Sequence, residues 1–419
     1  MTIAAYWLAT NFHWGAILLI LLPGDMEILA PEHKVEALGK VTALGAIFAL
    51  LVPLISGALS DRCTHRSGRR KPYIQGGILV NVLGLIGMAA CVKLNKTLPN
   101  AFNLYLLSFF VVQIGNNIAS GAFMGVIPDV VPKSEHGKAS GFMALFTQVG
   151  TLLGAVGVGM LLKSTESRYA AIAIVLVLVG LSTRTIRERH QASAEKIEWL
   201  PYLKSLWIDP RKYPDFAWVW ITRFLVMMGF YAISPYIKYY LVDVVGVAQA
   251  KVDDTAPMLM GVILIVSSIS GYYGGAISDK IGRKQVVYIA NTLIAIVAPA
   301  FVLCHNMPMA LLVGALFGLG YGAYISVDYA LGTDVLPSET DSGKDMAVWH
   351  IAMTLPQSLV AYPAGKLIAA AGSKMLPSAE PGAEPVVHYE VAGYAMVFIL
   401  CSLCFALGAY LLRNVKGVK

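Results

Sequence analysis

Gly57-Ala58-Leu59-Ser60-Asp61-Arg62, answered by Gly68-Arg69-Arg70-Lys71, and Gly275-Ala276-Ile277-Ser278-Asp279-Lys280, answered by Gly282-Arg283-Lys284, are two versions of one punctuation mark. Each closes a long apolar stretch and opens another. Glycine lets the chain turn tightly, and the aspartate supplies an acceptor for backbone N–H groups at a helix start. A charged turn between two bilayer-length segments, recurring once per half, reads as an internal duplication within a membrane protein.

Composition agrees with that reading. Hydrophobic residues make up 57% of the 419-residue chain and charged residues 14%, against about 25% charged in an average soluble domain. The mean hydropathy is +0.65. One span needs about 20 residues, so twelve fit with short loops to spare. The apolar runs predict helices near 4–23, 38–59, 72–92, 102–127, 138–162 and 168–184, then 215–242, 256–277, 285–304, 308–333, 343–370 and 391–412. The expected fold is an all-α membrane protein of twelve transmembrane helices in two pseudo-symmetric halves. Its domains are a six-helix bundle over 1–184, a charged cytoplasmic linker over 185–214, and a second six-helix bundle over 215–419. The proline-bearing stretch 373–390 reads as an irregular extracytoplasmic loop.

The net charge of +7 raises the possibility of nucleic-acid binding, but its distribution excludes it. Lys and Arg concentrate in alternate loops, as the positive-inside rule demands of cytoplasmic segments. That puts both termini in the cytoplasm and predicts a bilayer, not a nucleic acid, as the partner. The first apolar run lacks a basic leader and a cleavage site, so it reads as a retained helix. Of five cysteines, Cys401 and Cys404 form a C-x-x-C inside an apolar run, where small packing residues are the expected reading. No phosphate-binding G-x-x-x-x-G-K-[ST] occurs and no His or carboxylate cluster has metal spacing, so neither ATP-driven transport, nor an enzyme, nor a metal site is expected.

Three pairs repeat in order. Thr10-Asn11-Phe12 returns as Thr222-Arg223-Phe224, Asp61 as Asp279, and Pro128-Asp129-Val130-Val131-Pro132 as Thr333-Asp334-Val335-Leu336-Pro337. On these residues the chain resembles a major facilitator superfamily transporter. The long first turn, Arg223-Phe224-Leu225, Tyr239-Tyr240-Leu241-Val242-Asp243 and Val327-Asp328-Tyr329-Ala330-Leu331 make it similar, within that superfamily, to the glycoside-pentoside-hexuronide and sucrose-type proton symporters. The resemblance implies a bacterial inner-membrane protein, and a monomer suffices for the expected mechanism. It also implies a cavity lined by helices 1, 4, 7 and 10, and a cytoplasmic gate at the turns, here Asp61, Arg69, Arg70, Asp129, Asp279, Arg283 and Asp334. Simple topological signalling by the basic loops is the plainer alternative for these turns.

Ionisable groups inside spans are costly and therefore informative. Arg223 and Asp328 are the expected proton-coupling pair, with a permanent ion pair as the alternative; Lys238 reads as a cation snorkelling to the interface. Amides offer donors and acceptors together, as a polyhydroxylated ligand requires. Asn11, Gln113, Asn117, Gln148 and Gln357, with His13 and the aromatic Tyr231, Tyr321 and Tyr324, are the candidate solute-binding set; packing is the alternative for His13. The expected activity is secondary transport of a small polar solute, a sugar or glycoside, driven by a proton gradient with no cofactor. Efflux of an amphipathic compound and a non-transporting receptor on the same scaffold are the alternatives.

Overall fold

The computed structural model describes residues 2–124, 126, 146–186, 198–337, 342–376 and 386–417. Its long helices are α1 (Ala5–Leu29), α2 (Pro31–Asp61), α3 (Lys71–Lys93), α4 (Ala101–Met124), α5 (Phe146–Leu161), α6 (Thr165–Thr185), α7 (Pro214–Asp243), α8 (Gln249–Ile281), α9 (Arg283–Leu303), α10 (Met307–Asp334), α11 (Ser342–Ala370) and α12 (Val391–Asn414). Among the described residues ten of these are long and apolar enough to cross a bilayer. The other two are α5, whose described part is 16 residues, Phe146–Leu161, and α11, which carries Asp345 and two internal prolines, Pro356 and Pro363. The chain is thus an all-α, multi-spanning membrane protein. Large apolar side chains stand exposed along its helices, Leu79, Leu83 and Ile86 of α3 at 57–62%, which only a lipid surround renders harmless.

The helices gather into two compact units. Unit 1 comprises residues 1–30 and 44–199, and unit 2 residues 31–43 and 200–419, so α2 contributes its first turns to unit 2 and the remainder to unit 1. The same packing devices occur inside each. Ser56 on α2 donates to the Asn117 carbonyl on α4 at 3.3 Å, and Ser267 on α8 donates to the Gly318 carbonyl on α10 at 3.0 Å. Glycines bring those helix pairs together: a Cβ on Gly121 would lie 2.6 Å from the Pro53 carbonyl, and one on Gly318 would lie 2.6 Å from that of Ile263. With no hydrophobic force between helices in lipid, such close approach is what holds them.

The duplicated turns are duplicated structures. Gly68 and Gly282 both take positive φ, +117° and +102°, which a side chain would strain. Behind them Lys71 at the start of α3 donates to the Arg184 carbonyl at 3.1 Å, and Lys284 at the start of α9 donates to the Arg413 carbonyl at 3.3 Å. In each case a lysine ties the start of one helix, α3 or α9, to orphan carbonyls at the end of another, α6 or α12.

Three expectations need correcting. The first helix does not stop near residue 23: a π-helical turn at Ile17–Leu21 precedes Pro23, and the helix continues to Leu29. A wider turn loosens the i→i−4 ladder, so the missing proline N–H breaks less of it. Asp25 and Glu27 are thereby drawn into the span. The 373–390 segment is not wholly irregular, because Ser373–Leu376 (β1) pairs antiparallel with Val386–Tyr389 (β2), Lys374 opposite His388. Lys238 does not snorkel; its ammonium is buried and pairs with Asp253 of α8 at 2.9 Å.

Candidate functional site

A buried polar cluster of unit 2 lies where α7, α10 and α11 meet. Arg223 on α7 and Asp328 on α10 form a buried ion pair, their side chains 5% and 4% exposed. Tyr324, one turn before Asp328 on α10, donates its hydroxyl to the other carboxylate oxygen at 3.0 Å. The guanidinium lies 3.3 Å from the ring centre of Trp349 on α11, and its second terminal nitrogen contacts the Met353 sulfur at 3.4 Å. Arg223 is therefore gripped by charge on one side and by a π-face on another. Its Nε is buried without a hydrogen-bond partner, so one donor of the guanidinium remains unspent.

The packing of this site follows from small residues. A Cβ on Gly332 would fall 2.5 Å from the Trp349 indole nitrogen, so that glycine is what admits the ring. Above the pair, Tyr321 stacks on Phe230 at 4.5 Å with the rings 7° from parallel. Tyr231 packs edge-on to Phe230 at 5.4 Å, and both Tyr231 and Tyr321 remain partly accessible while Tyr324 is buried. A full charge pair, three phenols and an indole in one cluster can hold a polar solute by its edges and its faces.

In unit 1 the expected residues are uncharged and largely spent on one another. Asn11 gives its amide to the Trp7 carbonyl, 2.7 Å away on its own helix. Asn117 donates to the Gln113 carbonyl at 2.8 Å and to the Gln113 side chain at 3.0 Å. His13 is fully buried with its ring edge-on to Trp14 at 4.6 Å. Gln148 on α5, and Gln357 on α11 of unit 2, are half-buried. The structure thus joins Arg223, Asp328, Tyr231, Tyr321 and Tyr324 in one place, and Gln113 with Asn117 in another.

At the turns, Arg70 pairs with Asp61 and donates to the Ser60 hydroxyl at 2.7 Å. Arg283 pairs with Asp334 at 3.1 Å. Arg69 is half-buried next to Arg70, and Asp279 is exposed at the end of α8. Unit 2's shorter turn carries Arg283 to α10 instead. Asp129 lies outside the described residues.

Sequence reasoning missed a buried carboxylate in unit 1. Asp25 accepts hydrogen bonds on one oxygen from Tyr105 of α4 at 2.7 Å and Tyr169 of α6 at 2.6 Å. Only the unpredicted extension of α1 places it there. It also missed Trp349 as a partner of Arg223.

Comparison with known proteins agrees with the architecture. A family description, Major Facilitator Superfamily, matches residues 1–273 and 253–418. A sucrose transport protein of Arabidopsis thaliana is 30% identical over 154 residues, 34% of this chain and 30% of that protein; the chain matches less than a third of that relative's length. A multi-drug resistance efflux pump of Streptococcus pneumoniae is 27% identical over 352 residues, 78% of this chain and 79% of the pump. Among solved structures, a D-xylose–proton symporter superposes with a TM-score of 0.72 at 17% identity, covering 99% of this chain and 98% of that one. A nucleoside transporter superposes at 0.69 and 14%, covering 99% of each.

Proposed function

We propose, for a chain that belongs to the Major Facilitator Superfamily and is thus a non-catalytic secondary transporter of a small solute, that the solute is a sugar or glycoside and that protons drive its movement. The observation that carries this reading is the Arg223–Asp328 pair, buried among Tyr321, Tyr324 and Trp349. Two opposite charges inside a span are tolerated only while both are present. Protonation of Asp328 removes the counter-charge, leaving Arg223 held by Trp349 and Met353 alone. An arginine so freed seeks a new acceptor, and a hydroxyl-rich solute supplies one to its unspent Nε–H. Proton and solute then bias the same equilibrium between conformations, which is what coupling by alternating access requires. Within unit 2, Tyr231 and Tyr321 give a pyranose its stacking faces and Gln357 adds an amide; Asn11, His13, Gln113, Asn117 and Gln148 are the candidate solute contacts that unit 1 offers by itself.

In this reading the spans number twelve in two six-helix halves, a monomer suffices, and the protein sits in a bacterial inner membrane with both termini cytoplasmic. The Asp61–Arg70 and Arg283–Asp334 pairs are cytoplasmic latches that break and reform in each cycle, with Arg69, Asp129 and Asp279 in the same networks. The deciding experiment is uptake of labelled mono- and disaccharides into proteoliposomes, with and without an inward proton gradient, for wild type and Asp328→Asn. Gradient-driven accumulation lost in the variant is the expected result. Accumulation undiminished in the variant removes Asp328 from coupling. Absence of any sugar uptake moves the assignment to proton-driven efflux of an amphipathic compound, a reading that the longer match to the efflux pump favours.

A further inference from the structure

The first turns of α2 lie against the last turns of α11, both within unit 2. Val35 is fully buried there, and a Cβ on Gly365 would fall 2.8 Å from the Val35 carbonyl oxygen. One turn further along α2, a Cβ on Gly39 would fall 2.8 Å from the Ala361 carbonyl oxygen. Two glycines thus set these helices at backbone contact. Glu32 and Glu36 flank Val35, three residues before it and one after, and Lys366 follows Gly365. The contact therefore brings three charged side chains to the rim of one space.

That space is a cavity of about 890 Å³ at the hairpin end of unit 2, within the size range of small-molecule sites. Glu32, His33 and Glu36 form its α2 wall, and Tyr362, Lys366 and the apolar Leu367 its α11 wall. The walls carry both signs of charge, yet those charges do not neutralise one another. Lys366 is exposed, its ammonium 5.3 Å from the ring centre of Tyr362. Glu36 has the His33 ring 4.0 Å away, and among the described residues no ion pair joins either acid to Lys366.

A cavity whose walls carry opposite charges selects a ligand that carries both. A simple anion meets two carboxylates, a simple cation meets Lys366, and a neutral sugar leaves every charge unanswered. A phosphate on Lys366 together with an amine on Glu32 and Glu36 satisfies both walls by charge-assisted hydrogen bonds. The amine is a primary ammonium, because the carboxylates accept N–H bonds that a quaternary ammonium cannot donate. Whether the molecule carries acyl chains is answered by α11. Leu359, Tyr362 and Lys366 stand exposed at i, i+3 and i+7, on one face. That order, aliphatic then aromatic then cationic, marks where a span passes from hydrocarbon into the headgroup layer. Ser373, which opens β1, lines the same cavity on its polar side.

We propose that this cavity holds the headgroup of a phospholipid that ends in a primary ammonium, of the phosphatidylethanolamine type. Its phosphate sits on Lys366, its ammonium between Glu32 and Glu36, and one acyl chain runs along Tyr362 and Leu359. The lipid then ties α2 to α11 where their backbones already touch. The site stands on the membrane-spanning fold alone and is independent of which solute the protein carries.

The test is native mass spectrometry of the full chain in detergent micelles, titrated in turn with phosphatidylethanolamine, phosphatidylcholine and phosphatidylglycerol of one acyl composition. Phosphatidylethanolamine binding several-fold more tightly than the other two is the expected result. Lys366→Gln, and the double variant Glu32→Gln with Glu36→Gln, each bring it to the level of phosphatidylcholine. Equal binding of all three lipids by the wild-type chain overturns the proposal and needs no variant to fold; so does tighter binding of phosphatidylglycerol, which would mean that Lys366 acts alone. A preference that survives both variants overturns the placement. Glycerophosphoethanolamine, the same headgroup without acyl chains, is expected to displace the lipid poorly. Displacement at equal concentration overturns the lipid assignment in favour of a soluble zwitterion.

Discussion

Unit 2 buries a full positive and a full negative charge where α7 meets α10, whereas the stretch of unit 1 related to it by the duplication carries an amide, Asn11, at the position of Arg223. The scaffold contacts recur in both units: a serine on a carbonyl between α2 and α4 and between α8 and α10, a positive-φ glycine at the turn, a lysine on the carbonyls ending α6 and α12. The charges do not recur. Duplication has preserved what makes a bundle and left the chemistry free to diverge. Unit 1 has its own buried carboxylate, Asp25, but holds it elsewhere, with the hydroxyls of Tyr105 and Tyr169.

The sharpest way to test this contrast is to remove one half of the unit 2 pair. Asp328→Ala leaves a buried guanidinium without its counter-charge, at a cost of about 3–5 kcal/mol, and Arg223→Leu added to it recovers most of the loss. Thermal unfolding of the purified single and double variants measures both, and a double variant no better than the single would mean the two residues do not act as a pair. The converse places the charge of unit 2 into unit 1. Asn11→Arg is expected to destabilise by about 2.5–3.5 kcal/mol, as an arginine within a span does, read as lost folded yield in size-exclusion chromatography. A stable Asn11→Arg protein would reveal a counter-charge in unit 1 and break the comparison.

Much of the architecture was legible before any coordinates. The spans, the turns and the repeat are local signals, since each can be read within a window of a few to twenty residues. The Arg223–Asp328 pair was legible too, because two lone opposite charges in lipid have few other ways to exist. Asp25 was not, since reading it as buried required knowing that a π-turn carries α1 past Pro23-Gly24.

Smaller effects probe the two carboxylate sites against each other. Tyr169→Phe removes one hydrogen bond to Asp25 and should cost about 1.5–3 kcal/mol, the range for bonds to charged groups. Trp349→Leu removes the π-face from Arg223, worth about 2 kcal/mol when desolvated. Chemical or thermal unfolding decides each, and a Trp349→Leu protein as stable as wild type would show that Asp328 alone positions Arg223.

The smallest effect concerns a feature of unit 2 alone, the hairpin between α11 and α12, where unit 1 joins α5 to α6 through a short link. Lys374 pairs with Glu390 at 2.6 Å, and that hydrogen bond and charge raise the lysine above its ordinary range. A raised lysine contributes fully below its ordinary value and loses its contribution only as pH climbs through the raised one. Hydrogen exchange in the hairpin should therefore be insensitive to this pair from neutral to mildly alkaline pH. Lys374→Gln should change it little, because the pair is solvent-exposed.

By itself the sequence determined the membrane class, the turns, the duplication and the residues whose burial demands a partner. Hydropathy, glycine and charge act through the nearest residues along the chain, so they can be read in order. Only the tertiary structure decided which partner each buried group has. Arg223 meets Asp328 across 105 residues and Met353 across 130, and Asp25 meets Tyr169 across 144. At such separations the choice rests on which helix faces meet, and that is set by close packing of small residues over whole spans rather than by any short stretch of sequence.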